Sequence, residues 1–189
     1  MQKKHIITIA GKPGSGKSTS SKGVAEELGY QRFSSGDLFR AMGKERGIDV
    51  TQTNIAAETE TEIDYLVDQR LRDIGEQEDQ VVIDSRLAWH WIPQSFKVYL
   101  DLDIEIAATR ILAHMDPTRL ESEKVHSDPK EYAAALQNRL DLETHRYKAL
   151  YDVNPYDPDN YDLIIDSAAN NPDSTKLLIL EKYEEWLNS

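Results

Sequence analysis

A run of small and basic residues near the start of the chain has the residue types and spacing of a phosphate-binding loop. Gly11, Gly16, Lys17 and Ser18 occupy the fixed positions of the pattern G-x-x-x-x-G-K-[ST]. Glycines let the backbone turn its N–H groups inward around an anion, and a helix that starts here adds the positive end of its dipole. The lysine of such a loop reaches the β- and γ-phosphates of a nucleoside triphosphate, and the serine hydroxyl binds Mg²⁺.

The loop also has the sequence context that this chemistry requires. "HIITIA", from His5 to Ala10, is a β-branched apolar run typical of an inner parallel strand. After the loop, Val24, Ala25 and Leu28 follow helical spacing. The pattern therefore predicts binding of a nucleoside triphosphate with Mg²⁺, the alternative being a flexible turn. The residues expected to contact the nucleotide are Gly11, Gly14, Ser15, Gly16, Lys17, Ser18 and Thr19.

An aspartate and an arginine follow a second apolar run. "VVID" ends at Asp84, and Arg86 comes two residues later. Ligands of parallel sheets bind beyond the carboxyl ends of the strands. Asp84 can there hold a water on Mg²⁺ and form a metal site with Ser18, or it is only a solvated turn residue. Arg86 suits a phosphate monoester because its planar guanidinium donates paired hydrogen bonds.

Two further groups of residues could face the same cleft. Arg40 lies one turn into a predicted helix whose start is marked by Ser34, Ser35 and Asp37. Arg40 is expected to contact a phosphate or nucleotide at the carboxyl ends of the predicted strands, where Arg86 is also expected. The alternative is that these residues only cap the helix.

A long predicted helix supplies the other two candidate arginines. Arg139 and Arg146 are seven residues apart, about 10.5 Å along the axis and on nearly the same face. They either face a cleft and span neighbouring phosphates or pair with Asp141 and Glu143 across solvent. The apolar stripe beside them comprises Leu136, Leu140, Tyr147 and Leu150.

The elements that must position these residues alternate between strand and helix. Four more apolar runs are predicted as strands, and they begin at Tyr30, Val81, Phe96 and Tyr161. Alternation of this kind predicts an α/β fold, in which a five-stranded parallel sheet has helices on both faces. The last helix is expected from Pro172, with Asn171 as its N-cap. Its predicted buried stripe comprises Leu177, Leu180, Tyr183 and Leu187.

Composition limits the possible classes of partner. The chain has 189 residues and a formal net charge of −12, which repels the backbone of a nucleic acid. It has no cysteine, which excludes disulfides and thiolate zinc sites. No apolar run approaches the length that spans a membrane. We expect a single domain that acts as a cytoplasmic monomer on small-molecule nucleotides, without a nucleic acid or membrane partner.

Together these motifs resemble the nucleoside monophosphate kinases, and within them the short, archaeal-like cytidylate kinases. "GKPGSGKST" resembles their P-loop, "SSGDLFR" the start of the monophosphate-binding helix, "DSRLAW" the arginine rim and "NRLDLETHRYKALY" the arginine helix after the lid. The resemblance covers essentially the whole chain. It implies one P-loop kinase domain over 1–189, with a monophosphate-binding segment at 37–80 and a lid at 116–138.

The resemblance also implies roles for individual residues. The expected catalytic residues are Lys17, Arg86, Arg139 and Arg146. Arg40 would help Arg86 and Arg139 to hold phosphates, whereas Ser35 and Arg146 would help to recognise cytosine. The common bacterial enzymes have G-R-D where this chain has Ser85-Arg86-Leu87, so one base-recognising aspartate is missing. Asp64 or Asp68 is the expected replacement.

The predicted reaction is Mg²⁺-dependent transfer of the γ-phosphoryl group of ATP to a nucleoside monophosphate, with CMP or dCMP preferred. One alternative is a kinase for another small metabolite, in which Asp37 would lie near the acceptor hydroxyl. The other is a nucleotide-binding switch without catalysis. Neither the N-K-x-D nor the D-x-x-G motif expected of a guanine-nucleotide switch is found in the chain.

Overall fold

A computed structural model describes residues 4–38, 41, 61–115 and 128–189. Its five strands form one parallel sheet in the order β2-β3-β1-β4-β5, so the predicted α/β fold is confirmed. The strands are β1 (Ile6–Gly11), β2 (Gln31–Ser34), β3 (Val81–Asp84), β4 (Phe96–Asp101) and β5 (Leu163–Asp166).

Helices connect the strands and begin or end at the residues that local chemistry favours. The first helix stops at Gly29, which adopts a left-handed conformation, and the last is capped by Asn171, which accepts a hydrogen bond from the Ser174 N–H, as predicted. The helices are α1 (Lys17–Leu28), α2 (Thr61–Gln77), α3 (Ala88–Trp91), α4 (Ile104–His114), α5 (Pro129–Tyr151) and α6 (Pro172–Asn188).

The core lies on both faces of the sheet, because successive side chains of a strand point to opposite faces. Ile7 and Ile9 of β1 belong to a cluster that includes residues of α1 and α6. Ile6 belongs to a separate cluster with Leu71 and Ile74 of α2. Strand β1 is the central strand of the sheet and is buried on both faces. The loop after Gly11 therefore lies at the middle of the edge formed by the carboxyl ends of the strands.

Two predicted apolar stripes are partly wrong. Leu177 is 62% exposed, because the buried face of α6 runs through Thr175, Ile179 and Tyr183 at four-residue spacing. Leu150 is 41% exposed and lines a surface groove beside Tyr65 instead of continuing the buried face of α5. Neither change affects the position of the P-loop or the arginines.

Some sequence predictions fall outside the described residues. Arg40 is among them, as are residues 116–127 of the predicted lid. Residues 129–138 of that segment form the first turns of α5. The lid and the monophosphate-binding segment as units stay predictions. Among residues 4–38, 61–115 and 128–189, no helix is both long and apolar enough to cross a membrane.

The end of β1 gives a testable requirement for glycine. Gly11 has φ +148°, and a Cβ added there would lie 2.3 Å from the Leu100 carbonyl oxygen. We expect Gly11→Ala to lower the free energy of unfolding by about 3 kcal/mol, measured by urea denaturation. Gly23→Ala is the matched control: a Cβ there first meets the flexible Lys176 side chain at 3.3 Å. Because Gly23 lies inside a helix, the control should raise stability by about 0.5–1 kcal/mol. A Gly11→Ala variant as stable as the wild type would contradict the argument.

Candidate active site

The P-loop connects the end of β1 to the start of α1. Gly16, at φ +88°, occupies the N-cap of α1, a conformation that favours glycine. The Lys17 ammonium donates a hydrogen bond to the Lys12 carbonyl at 2.7 Å, which folds the side chain back over the loop. Burial and the nearby Arg86 lower the pKa of Lys17 to about 8, although Asp84 and Glu143 act in the opposite direction. Phosphates bound in the loop would add negative charge beside the ammonium and favour its protonated form.

The predicted metal-binding residues lie in contact. Because β3 pairs directly with β1, Asp84 is brought beside the P-loop, and its Oδ2 accepts a hydrogen bond from Ser18 Oγ at 2.7 Å. Arg32 Nη2 lies 3.4 Å from the same carboxylate oxygen. A hydroxyl and a carboxylate are the hard oxygen donors that suit Mg²⁺. The described part of the chain contains no cluster of three or more acidic or histidine side chains that could hold a metal ion.

A cleft of about 410 Å³ extends from the P-loop to α2 and α5. It brings together candidate residues from five separate parts of the sequence. Asp37 is not among its lining residues, and its carboxylate lies 3.2 Å from Arg32 Nη1 instead. The candidates that line the cleft are Gly14, Lys17, Ser18, Ser35, Asp64, Asp68, Asp84, Arg86, Arg139 and Arg146.

Glu143 lies between two of the cleft arginines. Its carboxylate oxygens are 2.9 Å from Arg86 Nε and 3.0 Å from Arg139 Nε. The Arg139 contact is a hydrogen bond, whereas the Arg86 contact is an ion pair without hydrogen-bond alignment. Tyr156 donates a further hydrogen bond from its hydroxyl at 2.6 Å.

The electrostatics of this group differ from those of a surface ion pair. Burial alone would raise the pKa of Glu143, but Arg86 and Arg139 outweigh it and lower that pKa to about 2. Burial alone would lower the pKa of Arg86, but the negative charge of Glu143 outweighs burial, so the pKa of Arg86 is raised. The alternative in which the arginines of α5 pair with Asp141 and Glu143 across solvent is therefore wrong: Glu143 is 6% exposed, and Asp141 accepts a hydrogen bond from Gln137 instead.

The far end of the cleft contains polar atoms that lack hydrogen bonds. Arg146 Nε lies 3.5 Å from Asp64 Oδ2, close enough for an ion pair but without a hydrogen bond. Within the described residues, these two buried atoms and the Ser35 hydroxyl have no hydrogen-bond partner. Burial raises the pKa of Asp64, and Arg146 opposes the rise. Buried polar groups are normally satisfied, so these three atoms, which belong to residues that line one cleft, leave hydrogen-bonding capacity unused.

Asp68, the other candidate base-recognising carboxylate, is already satisfied. Trp91 Nε1 donates to its Oδ1 at 2.9 Å, and the Tyr151 hydroxyl donates to its Oδ2. Since each oxygen already accepts a hydrogen bond, Asp68 is held to α3 and to the end of α5. Asp64, one turn earlier on α2, differs in that its Oδ2 has no hydrogen-bond partner.

A second cleft, of about 630 Å³, lies on the other side of the P-loop. Its lining includes Thr19 together with Arg110, His114 and Ser167. Arg110 donates from Nη2 to the Ser167 carbonyl at 2.9 Å, which connects α4 to the segment after β5. This cleft offers space for the nucleoside part of a triphosphate whose phosphates occupy the loop.

Sequence reasoning missed three residues of the site. Arg32 was not singled out, although it follows a predicted strand start and contacts Asp84. Tyr156 lies in a segment without a motif, so only the fold brings it to Glu143. Glu143 was considered only as a surface partner: its four-residue spacing from Arg139 predicted the contact but not the burial.

Comparison with known proteins agrees with this geometry. The profile of the cytidylate kinase-like family matches residues 6–169. The cytidylate kinase of Natronomonas pharaonis is 36% identical over 177 residues, which cover 92% of this chain and 86% of the relative. The cytidylate kinase of Methanothrix thermoacetophila is 35% identical over 163 residues, or 86% of this chain and 88% of the relative.

Solved structures show the same fold at lower identity. The shikimate kinase from Bacteroides thetaiotaomicron has a TM-score of 0.64 and 15% identity, covering 95% of this chain and 98% of its own. The gluconokinase from Sinorhizobium meliloti has a TM-score of 0.58 and 16% identity, covering 100% of this chain and 96% of its own. These two similarities concern the fold alone. From the family match and the identity to the archaeal relatives, the chain belongs to the cytidylate kinase-like family.

Proposed function

We propose that the protein transfers the γ-phosphoryl group of ATP to CMP, and less efficiently to dCMP, giving ADP and the corresponding diphosphate. The observation that supports this most directly is the set of unsatisfied polar atoms at the far end of the cleft: Asp64 Oδ2, Arg146 Nε and Ser35 Oγ. They lie in the cleft that also contains the P-loop lysine and Arg86, so one ligand with a phosphate and a polar base could meet both ends.

The edge of cytosine matches these atoms. Its 4-amino group is a donor, and N3 and O2 are acceptors, so an amino group can donate to Asp64 while Arg146 and Ser35 donate to the ring acceptors. Uracil presents an acceptor at position 4, which would face the Asp64 carboxylate. Adenine shares the amino donor and the adjacent ring acceptor but lacks O2 and adds a second ring. The arrangement therefore favours CMP among the monophosphates.

Catalysis would depend on positioning and charge. The phosphate of a nucleoside monophosphate is already an anionic nucleophile at neutral pH, so no general base is needed. Lys17, Arg86 and Arg139 line one cleft and would hold the donor and acceptor phosphates in line while neutralising charge on the transferring group. Ser18 and Asp84 would hold Mg²⁺, which supplies further positive charge at the donor phosphates. Closure of the predicted lid would exclude water.

We place this activity in a cytoplasmic monomer. Sedimentation equilibrium of the purified protein measures the oligomeric state.

The test of the function is a substrate panel. ATP-dependent diphosphate formation is measured with CMP, dCMP, UMP, AMP and GMP at equal concentration. We expect CMP to have the highest kcat/KM and AMP and GMP to be lower by at least about 100-fold, because a site built around a polar edge leaves buried groups unpaired with the wrong base. AMP or GMP exceeding CMP would refute the base assignment. Absence of turnover with all five would refute the monophosphate kinase and redirect the assay to metabolites with an acceptor hydroxyl.

A further inference from the structure

Glu143 is an acidic residue at a site that is expected to bind anions. Its carboxylate lies in the same cleft as Lys17, Arg86 and Arg139, where phosphates must meet. A buried negative charge here repels phosphate, so its presence requires an explanation. The contacts of its two oxygens supply one.

Glu143 contacts both arginines at their Nε atoms, through a different carboxylate oxygen in each case. It lies 2.9 Å from Arg86 Nε and 3.0 Å from Arg139 Nε. The terminal nitrogens of a guanidinium can bind a phosphate when Nε is engaged elsewhere. One carboxylate thus holds two guanidiniums that come from distant parts of the chain, one after β3 and one on α5.

Other contacts hold the carboxylate itself in place. The Tyr156 hydroxyl donates to Oε2 at 2.6 Å, and Glu143 is 6% exposed. Arg86 is further fixed through its backbone, because the Arg86 carbonyl accepts a hydrogen bond from Trp89 Nε1 at 2.9 Å. Packed surroundings of this kind fix the rotamers of functional side chains.

We propose that Glu143 is a positioning residue, which orients Arg86 and Arg139 through their Nε atoms so that both guanidiniums present their outer nitrogens to the transferring phosphoryl group. The proposal rests on the proposed function, since it assigns the arginines to phosphate. It predicts that loss of the carboxylate slows the chemical step without weakening substrate binding. Removing the carboxylate removes repulsion toward phosphates, so substrate binding does not weaken, but the arginines lose their fixed orientation and the transition state loses stabilisation.

The experiment compares Glu143→Gln with wild type in CMP phosphorylation. We expect kcat to fall by at least about 10-fold, since misplacement of positioning groups by an ångström can cost about 100-fold. The KM for CMP should rise no more than twofold. Asp141→Asn is the matched control, because it neutralises an exposed carboxylate two residues away on α5 and should leave both constants unchanged. A purely structural role would instead raise KM and lower kcat together, and that outcome overturns the proposal, as does an unchanged kcat.

A mutant cycle tests whether Glu143 acts through its partners. The loss in kcat caused by Glu143→Gln should be several-fold smaller in an Arg139→Gln background, because one of the oriented groups is already gone. Fully additive losses would overturn the proposal. If Glu143→Gln does not fold, Tyr156→Phe takes its place, since it removes one hydrogen bond from the carboxylate and keeps both ion pairs. There we expect a fall in kcat of about threefold at constant KM, and an unchanged kcat would overturn the proposal.

A nucleotide-free measurement separates this proposal from the proposed function. Nitrogen-15 relaxation of the Arg86 and Arg139 Nε–H groups should show rigid side chains in the wild type and mobile ones in Glu143→Gln. Equal mobility in the two proteins overturns the positioning role even if CMP is a substrate. Conversely, failure of CMP turnover with the expected difference in mobility refutes only the proposed function.

Discussion

Replacing Lys17 by alanine is expected to lower kcat for phosphoryl transfer by about 100-fold to 1,000-fold at saturating ATP and Mg²⁺. The ammonium lies in the P-loop, folded over the Lys12 carbonyl, where the charge of the transferring group develops. Removal of one such preorganised electrostatic contact typically costs about 3–4 kcal/mol of the barrier. Stability should not fall at pH 7, because burial lowers the pKa of Lys17 to about 8, so its protonated form is less favourable in the folded chain than in the unfolded one.

The control for Lys17 is Lys22→Ala on the same helix. Lys22 is exposed and lies 3.9 Å from Glu26, a surface pair whose loss should change neither turnover nor stability by a measurable amount. Initial rates are measured by a coupled ADP assay, and folding is followed by circular dichroism. Near-native turnover of a folded Lys17→Ala variant would show that the P-loop lysine is not catalytic here.

Replacing Asp64 by asparagine is expected to lower the ratio of kcat/KM for CMP to kcat/KM for UMP by about 100-fold or more. The carboxylate is an acceptor that matches the cytosine amino group, whereas the asparagine amide also offers a donor to the oxygen at position 4 of uracil. Sites that pair a polar base edge discriminate by several kcal/mol, because the wrong base leaves buried groups unpaired. Competition between CMP and UMP in one reaction, with separation of the diphosphates, measures the ratio directly.

Asp68→Asn is the matched control, since it makes the same change one turn along α2. Both Asp68 oxygens are occupied by Trp91 and Tyr151, so we expect a loss of stability and a ratio of CMP to UMP within about threefold of wild type. A shift in the ratio with Asp68→Asn and none with Asp64→Asn would reverse the assignment of the two carboxylates.

The sheet and the P-loop were predictable because their signals are local. Every strand except β2 is a short run rich in apolar residues, and the loop residues are consecutive, so the contact between Ser18 and Asp84 required only the adjacency of β1 and β3. The hydrogen bonds that occupy Asp68 were not predictable, because their donors Trp91 and Tyr151 come from other parts of the chain.

The errors in the helices have a similar origin. Helical spacing places Leu177 and Leu180 near one another, but the direction of the sheet relative to α6 decides which face is buried, and Leu177 is left exposed. Glu143 shows the same limit: its spacing from Arg139 predicts a contact, whereas its burial follows from Arg86 and Tyr156, which reach it through the fold.

The placement of Arg139 and Arg146 on one uninterrupted helix has a consequence for acceptor length. The two residues are separated by about 10.5 Å along the rigid axis of α5. If Arg139 contacts the transferring phosphoryl group and Arg146 contacts the base, as proposed, the helix fixes the distance between the two ends of the acceptor. A nucleoside diphosphate is longer by one phosphate, so it cannot place its base and its terminal phosphate at both arginines together. In that arrangement the reaction product would be excluded as the next acceptor, and phosphorylation would stop after a single addition.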